Sequence, residues 1–137
     1  MRRFIIFFIS LIYSIPFYFG NYQTDWLTYH EYLVNYKYYT LSEYFTYTFR
    51  TEYGFDIFMY TFMHIFNDPE LFLFFNVFLT TSFLLFGLVK LLNIKSKSAL
   101  LLLAIALLID FPLALLNTNI IRQNLAMGLI IFFIAYK

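Results

Sequence analysis

The sequence predicts an all-α polytopic membrane bundle, with about four transmembrane helices and amphipathic surface helices in the first outer loop. Three observations predict it. Of the 137 residues, 62% are hydrophobic and only 12% are charged, so too few polar side chains remain to coat a water-facing surface. Apolar runs recur at lengths near the ~20 residues that a helix needs to cross ~30 Å of hydrocarbon. The basic residues are dispersed around those runs, and with a net charge of +1 they form no patch for a nucleic acid. The absence of cysteine excludes a disulfide framework, a thiolate nucleophile and a cysteine-ligated metal. The two histidines lack metal-ligand spacing, and no metal or cofactor is expected.

The first run covers residues 4–19, with Arg2 and Arg3 before it and Gly20 and Asn21 after it. It lacks a small-x-small cleavage site, since Tyr18 sits two before Gly20, and it is read as a retained anchor rather than a signal peptide. A second run covers 71–92 and ends among Lys90, Lys95 and Lys97. The third covers 99–116, and the fourth opens near Ile120. Lysine and arginine prefer the cytoplasmic side, and both basic clusters agree. The N-terminus is then inside, residues 20–69 and 117–122 are outside, and Arg122 lies near the outer face.

The outer segment holds ten of the thirteen tyrosines, together with Trp26. Trp26, Tyr29, Leu33 and Tyr36 fall at i, i+3, i+7 and i+10, while Asp25, Thr28, Glu31 and Asn35 line the opposite side. That is a surface helix, with dry rings and wet hydroxyls in the headgroup zone. Residues 54–66 are apolar but too short to span, so a second surface or half-buried helix is expected there. Asn67, Asp68 and Pro69 end it, with Pro69 as a break before the next helix.

Two spans carry polar or small stripes: Asn76, Thr80, Phe83 and Gly87 on the second, and Ala99, Ala106, Asp110 and Ala114 on the third. Such faces pack helices closely. An ionised Asp110 at that depth costs about 2.5–3.5 kcal/mol unless paired. Arg122 is its candidate partner, across a hairpin turned at 117–119. The same arginine has a second reading. With Gln123 it opens a helix whose free N–H groups and dipole favour an anion such as a phosphate in the outer leaflet. Asp25 and Glu52 are either helix-capping acids or candidate bases. His30 and His64 are read as interfacial or packed.

The segments "DWLTYHEY", "TEYGFDIF" and "IIRQNLAMGLIIFFIA" resemble the EpsG family of exopolysaccharide-polymerising membrane proteins, related in character to O-antigen polymerases. The resemblance implies elongation of polysaccharide from polyprenyl-diphosphate-linked repeat units at the outer face of the bacterial inner membrane. It implies no nucleotide-sugar donor and no dinucleotide-binding domain. By it, Asp25 and Tyr29 match the acid and tyrosine of a D-x-x-x-Y loop, and Glu52 and Gly54 match an E-x-G-F element. Tyr53 stands there where proline is common. Arg122 and Gln123 match an arginine–glutamine pair.

The expected roles are catalytic for Asp25, Glu52 and Arg122, and substrate-binding for Tyr29 and Gln123, with Asp110 added from its depth in the third run. The lipid bilayer, the lipid-linked oligosaccharide and other polysaccharide-assembly membrane proteins are the expected partners. Family members carry more spans than four, so the chain is expected to correspond to an N-terminal piece, inactive by itself. The alternative reading is a non-catalytic scaffold or accessory subunit whose charged residues form structural pairs. A transporter fragment is a third, weakened because broken helices in matched pairs are not visible beyond Pro112.

Overall fold

A computed structural model describes residues 2–19, 30–31, 33–35, 38–48, 53–116 and 120–137. The described residues are overwhelmingly helical and contain no strand. Six helices are delimited: α1 (Arg2–Phe19), α2 (Leu41–Thr48), α3 (Tyr53–Phe66), α4 (Pro69–Leu91), α5 (Lys97–Leu116) and α6 (Ile120–Tyr136).

Local chemistry sets their ends. Thr40 and Glu43 cap α2 reciprocally: Glu43 Oε2 accepts from Thr40 N and Oγ1, both at 2.8 Å, and Glu43 N donates to Thr40 Oγ1 at 3.3 Å. α3 stops where Asn67 turns left-handed (φ 51°), its N–H bonding to Met63 O at 2.9 Å. Pro69 is the first residue of α4 rather than a spacer before it, because its missing N–H would be unpaired there in any case. Asp68 caps that helix through Oδ1, which accepts from Leu71 N at 2.9 Å.

At its other end α4 closes with Asn93 left-handed (φ 50°), Asn93 N bonded to Lys90 O and Ile94 N to Val89 O. The accompanying apolar contact is present, since Val89 and Ile94 pack in one cluster. Ser96 then caps α5, accepting from Ala99 N at 3.1 Å.

α4 is the axis of the fold. Its 23 residues reach about 35 Å at 1.5 Å each, and it is the one described helix long and apolar enough to cross a membrane. Within the described residues, 3–19, 97–106 and 125–136 are shorter apolar helical stretches. α1 packs against α4 antiparallel: Ile6 shares a cluster with Leu85, whereas Tyr13 and Phe17 share another with Phe72, Leu73 and Val77. α6 packs on another side of α4 and runs parallel to it, with Gly128 beside Thr80, Ile131 beside Gly87, and Lys90 Nζ 5.5 Å from the Tyr136 ring. A parallel pair requires the chain between them to return, and α5 lies in that connection.

Three expectations are corrected. The small-residue face expected on α5 is not its packed face: Ala99 and Ala106 are exposed, while Leu100 and Ala104 are buried against Ile6 and Leu85. Fit to the large side chains of α1 and α4, rather than smallness, decides which side turns inward. The close hairpin of the third and fourth runs is also replaced, because among the described residues α6 packs chiefly on α4 and only sparsely on α5. Gly87, against Ile131, and Gly128, against Thr80, let α4 and α6 approach at two levels. Finally, the segment expected as a surface helix is not wholly superficial: residues 30–31 and 33–35 are helical, but Leu33 is completely buried against Met59, Met63 and Phe72.

Polar side chains share the apolar interior, and many large apolar side chains face outward. Ser10, Ser14, Asp56, Asn76, Thr80 and Thr81 are inside, while Phe4, Phe8, Ile12, Leu102, Ile130 and Phe133 face out.

Candidate functional site

A cavity of about 370 Å³ opens between α3, α4 and α6. α3 contributes Gly54, Phe55 and Phe58, α4 contributes Leu79 and Phe83, and α6 contributes Leu125, Ala126 and Leu129. Its aromatic walls are held in place by ring contacts: Phe55 and Phe58 lie 6.1 and 5.4 Å from Phe72, and Phe83 lies 5.3 Å from Phe132. A Cβ at Gly54 would meet nothing within 4 Å, so the glycine leaves its corner of the cavity open.

Leu125, Ala126 and Leu129 follow position 122 at i+3, i+4 and i+7, so Arg122 belongs to the stripe of α6 that lines the cavity, one turn nearer the helix N-terminus. On α3, Gly54 follows Glu52 by two residues in sequence. Two sequence segments that are about 70 residues apart, around Gly54 and Leu125, thus meet across one apolar slot. Hydrocarbon below a helix N-terminus suits an amphiphile with an anionic head.

The third segment reaches the same end of α4 by another route. His30 Nε2 lies 3.4 Å from Glu70 Oε1 in the first turn of α4. Both side chains are well exposed, so the pair contributes about 0–1 kcal/mol and serves more to locate the segment than to stabilise it.

The EpsG family model matches residues 1–137, the whole chain. The chain belongs to the EpsG family. No curated protein and no solved structure matches it. Family membership points to a membrane-associated role in exopolysaccharide polymerisation.

The EpsG-family residues anticipated from sequence fall in different places. Asp25, Tyr29 and Glu52 lie outside the described residues. Asp110 and Arg122 are described as helical positions of α5 and α6 only. Gln123 is exposed and lies off the stripe that lines the cavity, and α5 supplies no lining residue among those described. His64 is packed locally: its ring stacks on Tyr60 at 4.0 Å and its Nδ1 lies 3.1 Å from Tyr60 O.

One buried acid of this EpsG-family chain was not singled out from sequence. Asp56, inside the segment "TEYGFDIF", is completely buried in the first turn of α3 on the face of Met59 and Met63. One acid in an otherwise apolar helix was the available signal, since a carboxylate is buried only where its surroundings compensate it. Asn76 was read as a packing position and proves to be 1% exposed.

Proposed function

We propose that this protein is a multi-pass helical protein of the bacterial inner membrane, with a cytoplasmic N-terminus, that takes part in polymerising lipid-linked sugar repeat units at the outer face. The observation that supports the reading is the cavity in which Gly54, Phe55 and Phe58 of the segment "TEYGFDIF" meet Leu125 and Ala126 of the segment "IIRQNLAMG". The exposed apolar side chains support four spans: α1, α5 and α6 each turn apolar side chains outward, as helices in lipid do. The alternation α1 up, α4 down, α5 back and α6 down agrees with the direction set by the lysine and arginine residues.

In this reading the cavity takes the hydrocarbon next to the diphosphate, and Arg122 with the N-terminal turn of α6 holds the diphosphate itself. An acceptor sugar hydroxyl attacks the anomeric carbon of the donor. The new glycosidic bond forms as the bond from that carbon to the diphosphate oxygen breaks. The hydroxyl proton passes to a carboxylate, Asp25 or Glu52, and the charge left on the departing diphosphate is stabilised by Arg122. Tyr29 and Gln123 contact the head group from the outer side, and Asp110 lines the approach to it.

The test is polymer synthesis in cells that depend on this chain. Arg122→Ala lowers polymer by about 10²–10³-fold, the usual loss of one preorganised charge donor. Arg122→Lys restores only part, because lysine lacks the planar two-pronged fork. Wild-type polymer levels in the alanine variant, at equal protein in the membrane, would overturn the reading.

A further inference from the structure

The charges of the chain are divided between the two ends of the bundle. Ile6 of α1 clusters with Leu85 of α4, and the two helices are antiparallel, so Arg3 stands at the end where Lys90 closes α4. Leu100 packs in the same cluster, which brings the start of α5 and its Lys97 to that end as well. Lys95 lies in the short connection between α4 and α5. Arg3, Lys90, Lys95 and Lys97 therefore gather at one level, and all are exposed. No acidic side chain occurs in residues 1–24, 71–109 or 111–137. Asp68 and Glu70 stand at the opposite end of α4, about 30 Å away at 1.5 Å per residue.

The backbone that presents these cations is fixed on both sides. Asn93 N bonds to Lys90 O at 3.2 Å and Ile94 N to Val89 O at 3.0 Å, and Ser96 Oγ accepts from Ala99 N at 3.1 Å. Little chain order is left to be lost when a ligand binds. Helix stability does not explain the placement: Arg3 and Lys97 sit in the first turns of α1 and α5, where the helix dipole disfavours a cation. Large apolar side chains adjoin the charges and are also exposed, among them Phe4, Leu91, Leu92 and Leu101. Apolar surface directly beside ammonium groups matches a phospholipid, whose acyl chains lie next to its phosphate.

We propose that this end of the bundle is a docking surface for anionic phospholipid headgroups, with Lys95 and Lys97 as its main phosphate contacts. The proposal rests on the reading of the chain as spanning the membrane. A positive end orients a membrane chain whatever its geometry. Cations on a fixed turn, free of acidic neighbours in sequence and rimmed by apolar side chains, go further and select a lipid by its charge. An acidic protein segment would meet the lysines and leave the rim uncovered.

The test uses the full chain in phosphatidylcholine vesicles, with spin-labelled phosphatidylglycerol or spin-labelled phosphatidylcholine as the probe. The fraction of each probe whose motion the protein restricts gives their relative affinity. Both leaflets carry the probe, so the direction of insertion does not affect the result. At about 0.01 M salt, wild type prefers phosphatidylglycerol by at least about fivefold, the scale of one lysine against anionic lipid. The preference falls toward parity at about 1 M salt, where the screening length is only ~3 Å. Lys95→Gln with Lys97→Gln removes most of it, and Lys95→Arg with Lys97→Arg keeps it.

Restriction of both probes by wild type without preference overturns the proposal and leaves the spanning reading intact. So does a preference that survives the double glutamine substitution. Absence of charge preference together with binding of polyglutamate that requires the same two lysines assigns the surface to an acidic protein segment and also overturns the proposal. Failure of wild type to restrict either probe, or to float with the vesicles, overturns the spanning reading and the proposal with it.

Discussion

Gly87 and Ile131 meet at the closest approach of α4 and α6: a Cβ at position 87 would lie 2.7 Å from Ile131 Cγ2 and 3.0 Å from the Ile131 carbonyl carbon. The side chain could rotate away, but the backbone carbon and the Phe132 nitrogen, also at 3.0 Å, could not. The missing side chain is what lets two helices run in contact along their length, and α6 is the wall that carries Arg122.

Gly87→Ala therefore forces the helices apart and destabilises the bundle by about 1–3 kcal/mol, as overpacking does. Gly128→Ala costs less, since its Cβ would meet Thr80 O at 3.1 Å and no nearer atom. Thermal unfolding in detergent, followed by the falling yield of a thiol cross-link between Phe83→Cys and Phe132→Cys when the reagent is added after heating, measures both. Equal stability of Gly87→Ala and wild type would contradict the contact.

Filling the cavity separates function from stability. Ala126→Phe places a ring in the slot opposite Phe55 and Phe58 and lowers polymer synthesis at least about tenfold, since more than ~1.4 kcal/mol of tail binding is lost. Ile130→Phe, on the exposed face of α6, leaves synthesis unchanged. Both proteins reach the membrane in wild-type amounts, which immunoblotting checks.

Asp68 holds the start of α4 through its bond from Leu71 N. Asp68→Ala costs about 0.5–2 kcal/mol and Asp68→Asn much less, because asparagine caps nearly as well. Tyr18→Phe has little effect, since the Tyr18 hydroxyl reaches Asp68 Oδ2 only at 3.5 Å, the outer limit of a useful hydrogen bond. Amide exchange at residues 70–73 reports each change.

The cap on α2 depends on pH. The backbone N–H of Thr40, and after it the Thr40 hydroxyl, hold the Glu43 carboxyl below its ordinary value. A depressed folded value means that the stabilisation is present above the unfolded glutamate range and is lost as pH falls through the folded value. The protection of amides 41–46, taken relative to their intrinsic exchange rates, accordingly falls under acid conditions, and Glu43→Gln removes most of that dependence. A rate ratio between the two that stays constant with pH would show that the carboxylate does not hold the cap.

The existence of the helices was legible because each rests on a local signal. Asp68-Pro69, Ser96 and the long apolar runs mark starts and bodies through bonds within four residues, which any window of sequence contains. Arg122, as a cation in an apolar stretch, was conspicuous for the same reason. Its surroundings were not. A hairpin partner is the default for consecutive runs, and nothing local states that Gly87 will meet Ile131 or that Gly128 will meet Thr80.

By composition alone, then, the sequence determined a helical, membrane-associated chain with its charges confined to particular levels, since hydropathy and charge act residue by residue. Only the tertiary structure decided that α6 lies parallel to α4 rather than against α5, that Leu33 and Asp56 turn inward, and that the "TEYGFDIF" and "IIRQNLAMG" segments share one cavity. Those outcomes depend on the fit of side chains and on how closely two backbones can approach, properties of surfaces that exist only once the helices have been brought together.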